Sequence, residues 1–368
     1  MGEDRAAAYG RRMADLPRTV ADMLARAGEI APGPAWQYYI GGAGEERTLW
    51  ANAEAWQAIG LRQRVLVDVS ERDTTTSLLG RVRPTPLVVP PMAYQRELHP
   101  GGEAELAAGA GRRGVPYCLS TLSTSTLAEV ESGAPDTDRW FQLYVLRDRG
   151  LVRALVDEAV ARGFEALVVT ADLPVLGMRD RDARSGFAVP ASQTMVGALM
   201  GRNEELSPAA FAELIDASLT WEDLAELVDA STVPVLVKGV LDADDARRAV
   251  ECGVAGIVVS NHGGRQLDTV QPTALALPQV VQAVRETRRA VDIIVDGGIR
   301  RGTDVAKALA LGADAVGVGR PCAAGLAVAG ADGVQRVLDL LLAELHIALA
   351  LTGVPRAADL SPDILLGT

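Results

Sequence analysis

Eight short apolar runs recur along the chain, and they constrain its fold more than any other feature. Most are continuous strings rich in β-branched residues, a pattern typical of strands that are buried on both faces of a parallel sheet. The runs are PLVVP (86–90), GVPYCLS (114–120), RWFQLYV (139–145), ALVVTAD (166–172), PVLVKG (234–239), GIVVSN (256–261), DIIVDGG (292–298) and AVGVGR (315–320).

Amphipathic helical patterns separate these runs. Residues 151–163 place apolar side chains at the i, i+3, i+4, i+7 spacing and end in glycine. Residues 242–253 and 301–313 each begin with an acidic or threonine cap and stop at a glycine. Because strand–helix–strand crossovers are right-handed, eight such units predict an α/β fold, a (β/α)8 TIM barrel.

Two long segments interrupt the repeat within what we expect to be one domain, residues 1–368. Residues 1–85 predict an N-terminal helical segment, 86–325 the barrel core, and 326–368 the C-terminal helices. The stretch 173–233 is an insertion after the fourth strand. Loops at that end of a barrel usually bind ligands or act as lids. The alternative is a surface loop without a function.

The charge balance limits the partners. The chain has 36 lysines and arginines against 48 aspartates and glutamates, a net charge of −12. Nucleic acid is disfavoured because its phosphates require a basic face. An acidic chain that binds a small anion must instead concentrate its positive charge locally.

The cellular setting is predicted from what the sequence contains. The first twenty residues show no apolar signal region, and no stretch is apolar for 18 residues, so neither a signal peptide nor a spanning helix is expected. The three cysteines Cys118, Cys252 and Cys322 favour reduced thiols of a cytoplasmic protein over a disulfide, a metal site or a nucleophile.

Polar residues follow nearly every predicted strand. Because parallel strands of a barrel end at the same rim, these side chains should converge there. They are Ser120, Thr121, Gln142, Tyr144, Thr170, Asp172, Lys238, Ser260, Asn261, His262, Asp296, Gly297, Gly298, Gly319 and Arg320.

The last two strand ends favour an anion. DGGIRRGTDV and GVGRP place glycine N–H groups and helix N-termini where they can bind a phosphate, although the glycines could simply form tight turns. Arg300 and Arg320 beside them favour the anion. Lys238, which ends the fifth strand, is either a fixed positive charge over an electron-rich group or the partner of a nearby aspartate.

The stretch SNHGGRQLD holds one of only three histidines. An imidazole suits proton transfer near neutral pH, and the guanidinium of Arg265 offers a planar fork to a carboxylate. Gly263 and Gly264 allow a sharp turn, and Asp172 is a natural partner for the ring of His262. The plainer alternative is a surface histidine with a structural arginine.

SNHGGRQLD resembles the active-site signature of the FMN-dependent 2-hydroxy-acid oxidases and dehydrogenases, the glycolate oxidase-like family. YYIGGAGEERTL, HPGGE, FQLYVLRDR, LVKGV, DGGIRRGTDVAKALALGA and GRP resemble further family segments in order, over almost the whole chain. The resemblance implies oxidation of an L- or (S)-2-hydroxy acid to the 2-oxo acid with FMN. It also implies O2 as acceptor, H2O2 as product, no metal, and a homotetramer or larger assembly.

The resemblance also implies roles for individual residues. His262 would be the base, Asp172 its partner, and Tyr144 a contact to the substrate hydroxyl. The substrate carboxylate would lie between Arg265 and Arg179. The remaining implied residues are Tyr38 for the carboxylate, and for FMN Tyr39, Ala93, Ser120, Gln142, Thr170, Lys238, Ser260, Asp296, Gly298, Arg300, Gly319 and Arg320.

Departures from the family pattern concern the substrate. Met178 replaces the first of two family arginines, which leaves Arg179 in place and makes Arg181 a rival. Leu122 stands where glycolate oxidase has tryptophan, and Tyr94 adds an expected aromatic wall. Together they predict a larger, aromatic substrate, and the segments around them look most like the (4-hydroxy)mandelate oxidase branch.

Other functions stay open at this stage. The enzyme could be a dehydrogenase that passes electrons to a quinone or protein, or an oxidase of small aliphatic acids such as glycolate and lactate. A different FMN barrel, such as an isomerase, would need neither His262 nor the paired arginines. A flavin-binding module without activity would be free to lose them. Whether electrons leave as hydride or through a carbanion is also open.

Overall fold

The computed structural model describes residues 15–202 and 204–367. Eight parallel strands form one sheet in the order β1-β8-β7-β6-β5-β4-β3-β2, and a bridge between Val89 and Tyr117 joins β1 to β2 and closes the barrel. The strands are β1 Leu87–Val88, β2 Tyr117–Leu119, β3 Arg139–Leu143, β4 Ala166–Thr170, β5 Val235–Val240, β6 Gly256–Val259, β7 Asp292–Val295 and β8 Ala315–Gly317. The predicted (β/α)8 fold is confirmed.

The strands are continuous apolar strings because both of their faces are buried. One set of side chains fills the barrel interior, and the other packs under the outer helices. The interior set includes Val88, Cys118, Trp140, Ala166, Val168, Leu236, Val258, Ile294 and Ala315. This packed interior leaves the upper rim as the place for a ligand.

Helices cover the barrel and its N-terminal side. They are α1 Val20–Ile30, α2 Gly33–Ile40, α3 Arg47–Ala58, α4 Gly102–Gly111, α5 Leu127–Gly133, α6 Arg149–Ala161, α7 Asp180–Ser185, α8 Met195–Leu199, α9 Pro208–Ala212, α10 Trp221–Ala230, α11 Ala243–Glu251, α12 Thr273–Glu286, α13 Gly302–Ala310 and α14 Arg320–Thr352. The backbone of α14 is not helical at Ala329 and Gly330, where its direction changes.

Caps explain where several helices begin. The Asp242 side chain accepts from the backbone N–H groups of Asp244 and Asp245 at the start of α11, as the sequence predicted. Helix α13 differs, because its first flanking residue is Arg301 rather than an acidic residue or threonine. The carboxylate of Asp304 instead accepts from the N–H groups of Arg300 and Arg301, at 2.9 and 3.0 Å.

The segments around the barrel are less uniformly helical than expected. Within the described residues, the N-terminal segment is helical only to Ala58. It then forms the strand Gly60–Leu61, paired with Leu365–Leu366, and the hairpin Thr76–Leu78 with Arg81–Arg83. The predicted helix content of residues 1–14 lies outside the described residues.

The insertion after β4 forms a folded cover over the rim. It contains α7 to α10 and the short paired strands Val189–Pro190 and Glu205–Leu206. No helix in the described part of the chain is both long and apolar enough to cross a bilayer.

Close packing at Gly302 provides a test of the fold. A Cβ at this position would lie 2.3 Å from the Leu345 nitrogen and 2.4 Å from the Leu341 oxygen, so α13 and α14 could not approach as they do. We expect Gly302→Ala to lower the free energy of unfolding by about 1–3 kcal/mol, the usual cost of overpacking. Chemical denaturation measures this. Gly33→Ala is the matched control, since nothing lies within 4 Å of its Cβ, and an equal loss in both variants would contradict the packing argument.

Candidate active site

A cavity opens at the C-terminal ends of the strands. Residues from the strand ends, the N-terminal segment and the insertion line it. The predicted site residues that line it are Tyr38, Tyr39, Ala93, Ser120, Leu122, Gln142, Tyr144, Thr170, Arg179, Lys238, His262, Arg265, Asp296, Gly298, Arg300, Gly319 and Arg320. Asp172, Ser260 and Tyr94 do not line it.

His262 and Asp172 form a hydrogen-bonded pair at the rim. The distance from Nδ1 of His262 to Oδ1 of Asp172 is 2.9 Å. Burial is the largest influence on the imidazole and lowers the pKa of His262, although Asp172 opposes the shift. Burial also disfavours the Asp172 anion, but His262 and then Lys238 outweigh it and hold the pKa of that carboxyl below its usual value. The pair therefore presents a neutral imidazole beside a carboxylate at neutral pH.

The glycines after His262 shape the loop that presents it. Gly264 has φ +74°, and a Cβ there would lie 2.6 Å from the backbone nitrogen of Leu49, so only glycine fits. His262 itself adopts φ +57°, uncommon for a residue other than glycine, and its N–H donates to Oγ of Ser260 at 3.0 Å. Ser260 therefore supports the loop from below instead of lining the cavity.

Two arginines meet beside this pair. The Nη1 group of Arg265 donates to the carbonyl oxygens of Tyr38 and Gly41, and its guanidinium lies 4.5 Å from the centre of the Tyr38 ring. Its Nη2 is buried without a hydrogen-bond partner among the described residues. Arg179 donates from Nε to the carbonyl oxygen of Arg265 at 3.0 Å. Burial, and then the charge of Arg265, lower the pKa of Arg179, as expected of a site built for an anion.

The neighbours of Arg179 do not compete for this site. Met178 is exposed. Arg181, the rival identified in the sequence, points away from the cavity and pairs with Glu46, with Nε 2.6 Å from Oε1.

Lys238 satisfies both interpretations of its position. Its Nζ donates to Oγ of Ser260 at 2.9 Å and lies 3.7 Å from Oδ2 of Asp296, and it also lines the cavity. Ser260 in turn donates to Oδ1 of Asp296 at 2.6 Å. The lysine is thus a fixed positive charge with a defined direction.

An amide network lies beside Lys238, because Thr170 of β4 is the register partner of Lys238 on β5. Oε1 of Gln142 accepts from Oγ of Ser120 at 3.2 Å and from the N–H of Thr121 at 3.1 Å, while its Nε2 donates to Oγ1 of Thr170 at 3.0 Å. The hydroxyl of Tyr39 donates to the carbonyl oxygen of Ala93. Fixed donors and acceptors of this kind can orient a polar ring.

The far end of the cavity is basic and rich in glycine. Arg320 donates to the carbonyl oxygens of Tyr39, Gly263 and Gly41 at 2.8, 3.0 and 2.9 Å, and burial lowers its pKa well below the usual value. Burial also lowers the pKa of Arg300. A Cβ on Gly319 would meet nothing closer than 3.5 Å. A phosphate suits this basic end, and the fixed donors and acceptors of Lys238 and the amide network suit a polar ring, so the residues present fit FMN.

Tyr94 is not the wall that the sequence predicted. It is fully buried behind Tyr38, with ring centres 5.6 Å apart, and its hydroxyl has no hydrogen-bond partner within the described residues. Sequence reasoning missed the residues that do form the apolar wall, which are Met92, Leu173, Leu176, Pro208, Phe211, Ala212 and Ile215. Most belong to the insertion. Its apolar residues were visible in the sequence, but the direction in which their side chains point was not.

Comparison with known proteins decides the family. A family model described as FMN-dependent dehydrogenase matches residues 27–366. The chain belongs to this family. FMN is therefore its cofactor, and the chain is an enzyme of the 2-hydroxy-acid oxidase and dehydrogenase class.

Similar proteins in the family have been named for different acids. The chain is 46% identical to L-lactate oxidase of Nostoc sp. over 90% of its own length and 93% of the relative. It is 43% identical to glycolate oxidase 1 of Zea mays over 93% and 94%. Among solved structures, mandelate oxidase is 40% identical with a TM-score of 0.86, covering 95% and 98%. A soluble mutant of (S)-mandelate dehydrogenase from Pseudomonas putida is 36% identical with a TM-score of 0.88, covering 96% and 100%.

The basic end of the cavity generates a prediction. Replacing Arg320 with Met should weaken FMN binding by about tenfold or more, because one charge-assisted hydrogen bond to a phosphate is worth about 1.5–3 kcal/mol. Titration of apoprotein with FMN, followed by quenching of flavin fluorescence, measures this. Arg301→Met is the control, since Arg301 is exposed and pairs with Glu344 on the outer surface. Equal affinity in the Arg320 variant and the wild type would contradict the assignment.

Proposed function

We propose that this enzyme oxidises an (S)-2-hydroxy acid with a large or aromatic side chain, such as mandelate or 4-hydroxymandelate, and passes the electrons to O2 to give H2O2. The observation that carries the proposal is the meeting of the His262–Asp172 pair with two arginines, Arg179 buried and Arg265 half-buried, in one cavity. A neutral imidazole can accept a proton, and paired guanidinium groups can hold a carboxylate. A 2-hydroxy acid offers both groups on adjacent carbons.

The cofactor would occupy the deep part of the cavity. Bound FMN would supply the two-electron acceptor. Lys238 would face the electron-rich edge of the ring, and its fixed charge would favour a negatively charged reduced form. The remaining residues that would hold FMN are Tyr39, Ala93, Ser120, Gln142, Thr170, Asp296, Gly298, Arg300, Gly319 and Arg320, with Ser260 fixing Lys238 from behind.

The substrate would be held in the outer part. Arg265 and Arg179 would bind its carboxylate, with Tyr38 beside them, and Tyr144 would contact its hydroxyl. Because Nδ1 of His262 is bonded to Asp172, Nε2 is left to take a proton from the substrate. Asp172 would stabilise the imidazolium that results. The substrate loses two electrons and two protons in all and leaves as the 2-oxo acid.

The lowered pKa of His262 predicts how kcat/KM depends on pH. Its pKa lies below the ordinary 6.5, so the base is neutral at pH 7 and is lost only as the pH falls through this lowered value. We expect kcat/KM to decline on the acid side with a midpoint below 6.5.

Asp172→Asn provides the matched change. Because the Asp172 charge raises the pKa of His262, the variant should lose activity and its acid limb should move to still lower pH. A pH profile of kcat/KM checks both results, and a wild-type midpoint above 7 would contradict them.

The apolar wall supports a large substrate. Leu122, Leu173, Phe211 and Ile215 all line the cavity, so apolar side chains are available to contact a phenyl group. Tyr144 and Phe211 pack with ring centres 5.9 Å apart. Small acids such as glycolate would leave this wall uncovered.

Leu122 provides the specificity test. We expect Leu122→Trp to lower kcat/KM for mandelate by about tenfold or more and to change the value for glycolate by less than about threefold, because the added ring takes the space of the phenyl group. Leu275→Trp is the control, at an exposed position of α12. If the wild-type enzyme turns over glycolate faster than mandelate, the aromatic proposal is wrong.

One assay decides the acceptor. Incubation in air with glycolate, L-lactate, (S)-mandelate and 4-hydroxymandelate, with H2O2 and flavin absorbance followed together, should show peroxide equal to the acid consumed. Turnover that requires an artificial acceptor would instead identify a dehydrogenase that uses a quinone or protein.

We also propose that the protein is cytoplasmic and forms a homotetramer or larger assembly. The three unpaired cysteines support the proposed location. Light scattering on the purified protein checks the assembly.

A further inference from the structure

An ion pair joins the insertion to the N-terminal segment at the edge of the cavity. Arg181 of α7 places Nε 2.6 Å from Oε1 and Nη2 2.8 Å from Oε2 of Glu46, a two-bond geometry. Nη1 of Arg181 donates to Oε1 of Gln37 at 2.9 Å, and Oε1 of Glu46 also accepts from the N–H of Gly42 at 3.0 Å. Glu46 is only 9% exposed. The pair is therefore better shielded from solvent than an ordinary surface ion pair.

The Glu46 side of the pair leads to the substrate arginines. Residues 41–46, here called the N-terminal turn, contact two other loops. The Gly41 carbonyl oxygen accepts from Arg265, the Ala43 N–H donates to the Gly264 oxygen at 2.8 Å, and the Gly44 N–H donates to the Met178 oxygen at 2.8 Å. Movement of this turn would therefore move Arg265 and the residue before Arg179.

The Arg181 side leads to the same place. Arg179 is the flanking residue at the start of α7, two positions before Arg181. Its guanidinium touches the loop of Arg265 through the carbonyl oxygen of that residue. The ion pair thus closes a ring of contacts in which both substrate arginines are fixed.

We propose that Glu46 and Arg181 are positioning residues that lock α7 onto the N-terminal turn and so set the affinity of the site for the substrate carboxylate. The inference rests on the function proposed above. Neither side chain lines the cavity, so the pair acts through Arg179 and Arg265 and not by touching the substrate. An effect on binding, with little effect on the chemical step, follows from this arrangement.

Two conservative substitutions remove the ion pair between Glu46 and Arg181. Arg181→Met keeps the stem of the side chain, and Glu46→Gln keeps an acceptor for the Gly42 N–H. Each should raise KM for mandelate by about tenfold and leave kcat within about twofold. The dissociation constant of oxalate, a carboxylate that cannot be oxidised here, should rise in parallel when followed by flavin absorbance. Arg184→Met on the same exposed side of α7 and Glu45→Gln beside Glu46 are the controls, and both should behave as the wild type.

Further variants separate positioning from general damage. Arg181→Lys keeps the charge but not the two-bond geometry and should recover only part of the loss. The double variant with Glu46→Arg and Arg181→Glu should bring KM back to within about threefold of the wild type, although Glu46→Arg alone should not. Trypsin should cleave the FMN-free Glu46→Gln protein faster after Arg184 than it cleaves the FMN-free wild type, because α7 is released.

The outcomes distinguish the two proposals. If the wild type oxidises no 2-hydroxy acid, the proposed function fails, while oxalate affinity and trypsin cleavage still test the ion pair. If the wild type is active but KM and oxalate affinity are unchanged in Arg181→Met and Glu46→Gln, the positioning role is wrong. A fall in kcat with no change in oxalate binding would also overturn it.

Discussion

One backbone carbonyl group holds the site together. The oxygen of Gly41 accepts a hydrogen bond from Arg265 at 3.0 Å and another from Arg320 at 2.9 Å. Both arginines line the cavity, Arg265 at the proposed substrate wall and Arg320 at the adjoining basic end. Because both guanidinium groups are attached to the same peptide unit, their separation is fixed before any ligand arrives. Because these groups are already oriented, little of the free energy of ligand binding is lost in ordering them.

The same attachment explains how an acidic chain can hold anions. Arg179, Arg265 and Arg320 are stabilised mostly by neutral carbonyl oxygens, not by carboxylates. Carbonyl groups orient a guanidinium without cancelling its charge, so the positive potential in the cavity is retained. Lys238 and Arg179 also have a carboxylate nearby, since Asp296 lies 3.7 Å from Lys238 and Asp182 lies 3.9 Å from Arg179.

The fold was predictable to a large degree because its apolar strand pattern repeats eight times along the sequence. Seven of the eight strands fall within their predicted runs and β5 extends one residue beyond its run, to Val240, since burial on both faces imposes an apolar string wherever the sheet passes. The insertion was predicted only as a ligand-binding loop or lid, because the direction of its apolar side chains depends on tertiary packing. That is why Phe211 was missed, and why Tyr94 was expected in the wall when it lies behind Tyr38. The start of α13 differed because a carboxylate one turn inside the helix replaced the expected cap.

The position of the N-terminal turn in the chain has a consequence for folding. The contacts of Gly41 with Arg265 and Arg320 span 224 and 279 residues, so they are among the most distant in sequence. The turn leaves the ribosome early but must wait for β6 and β8 before its partners exist. The cavity is therefore expected to be completed late in folding, after the whole barrel has closed.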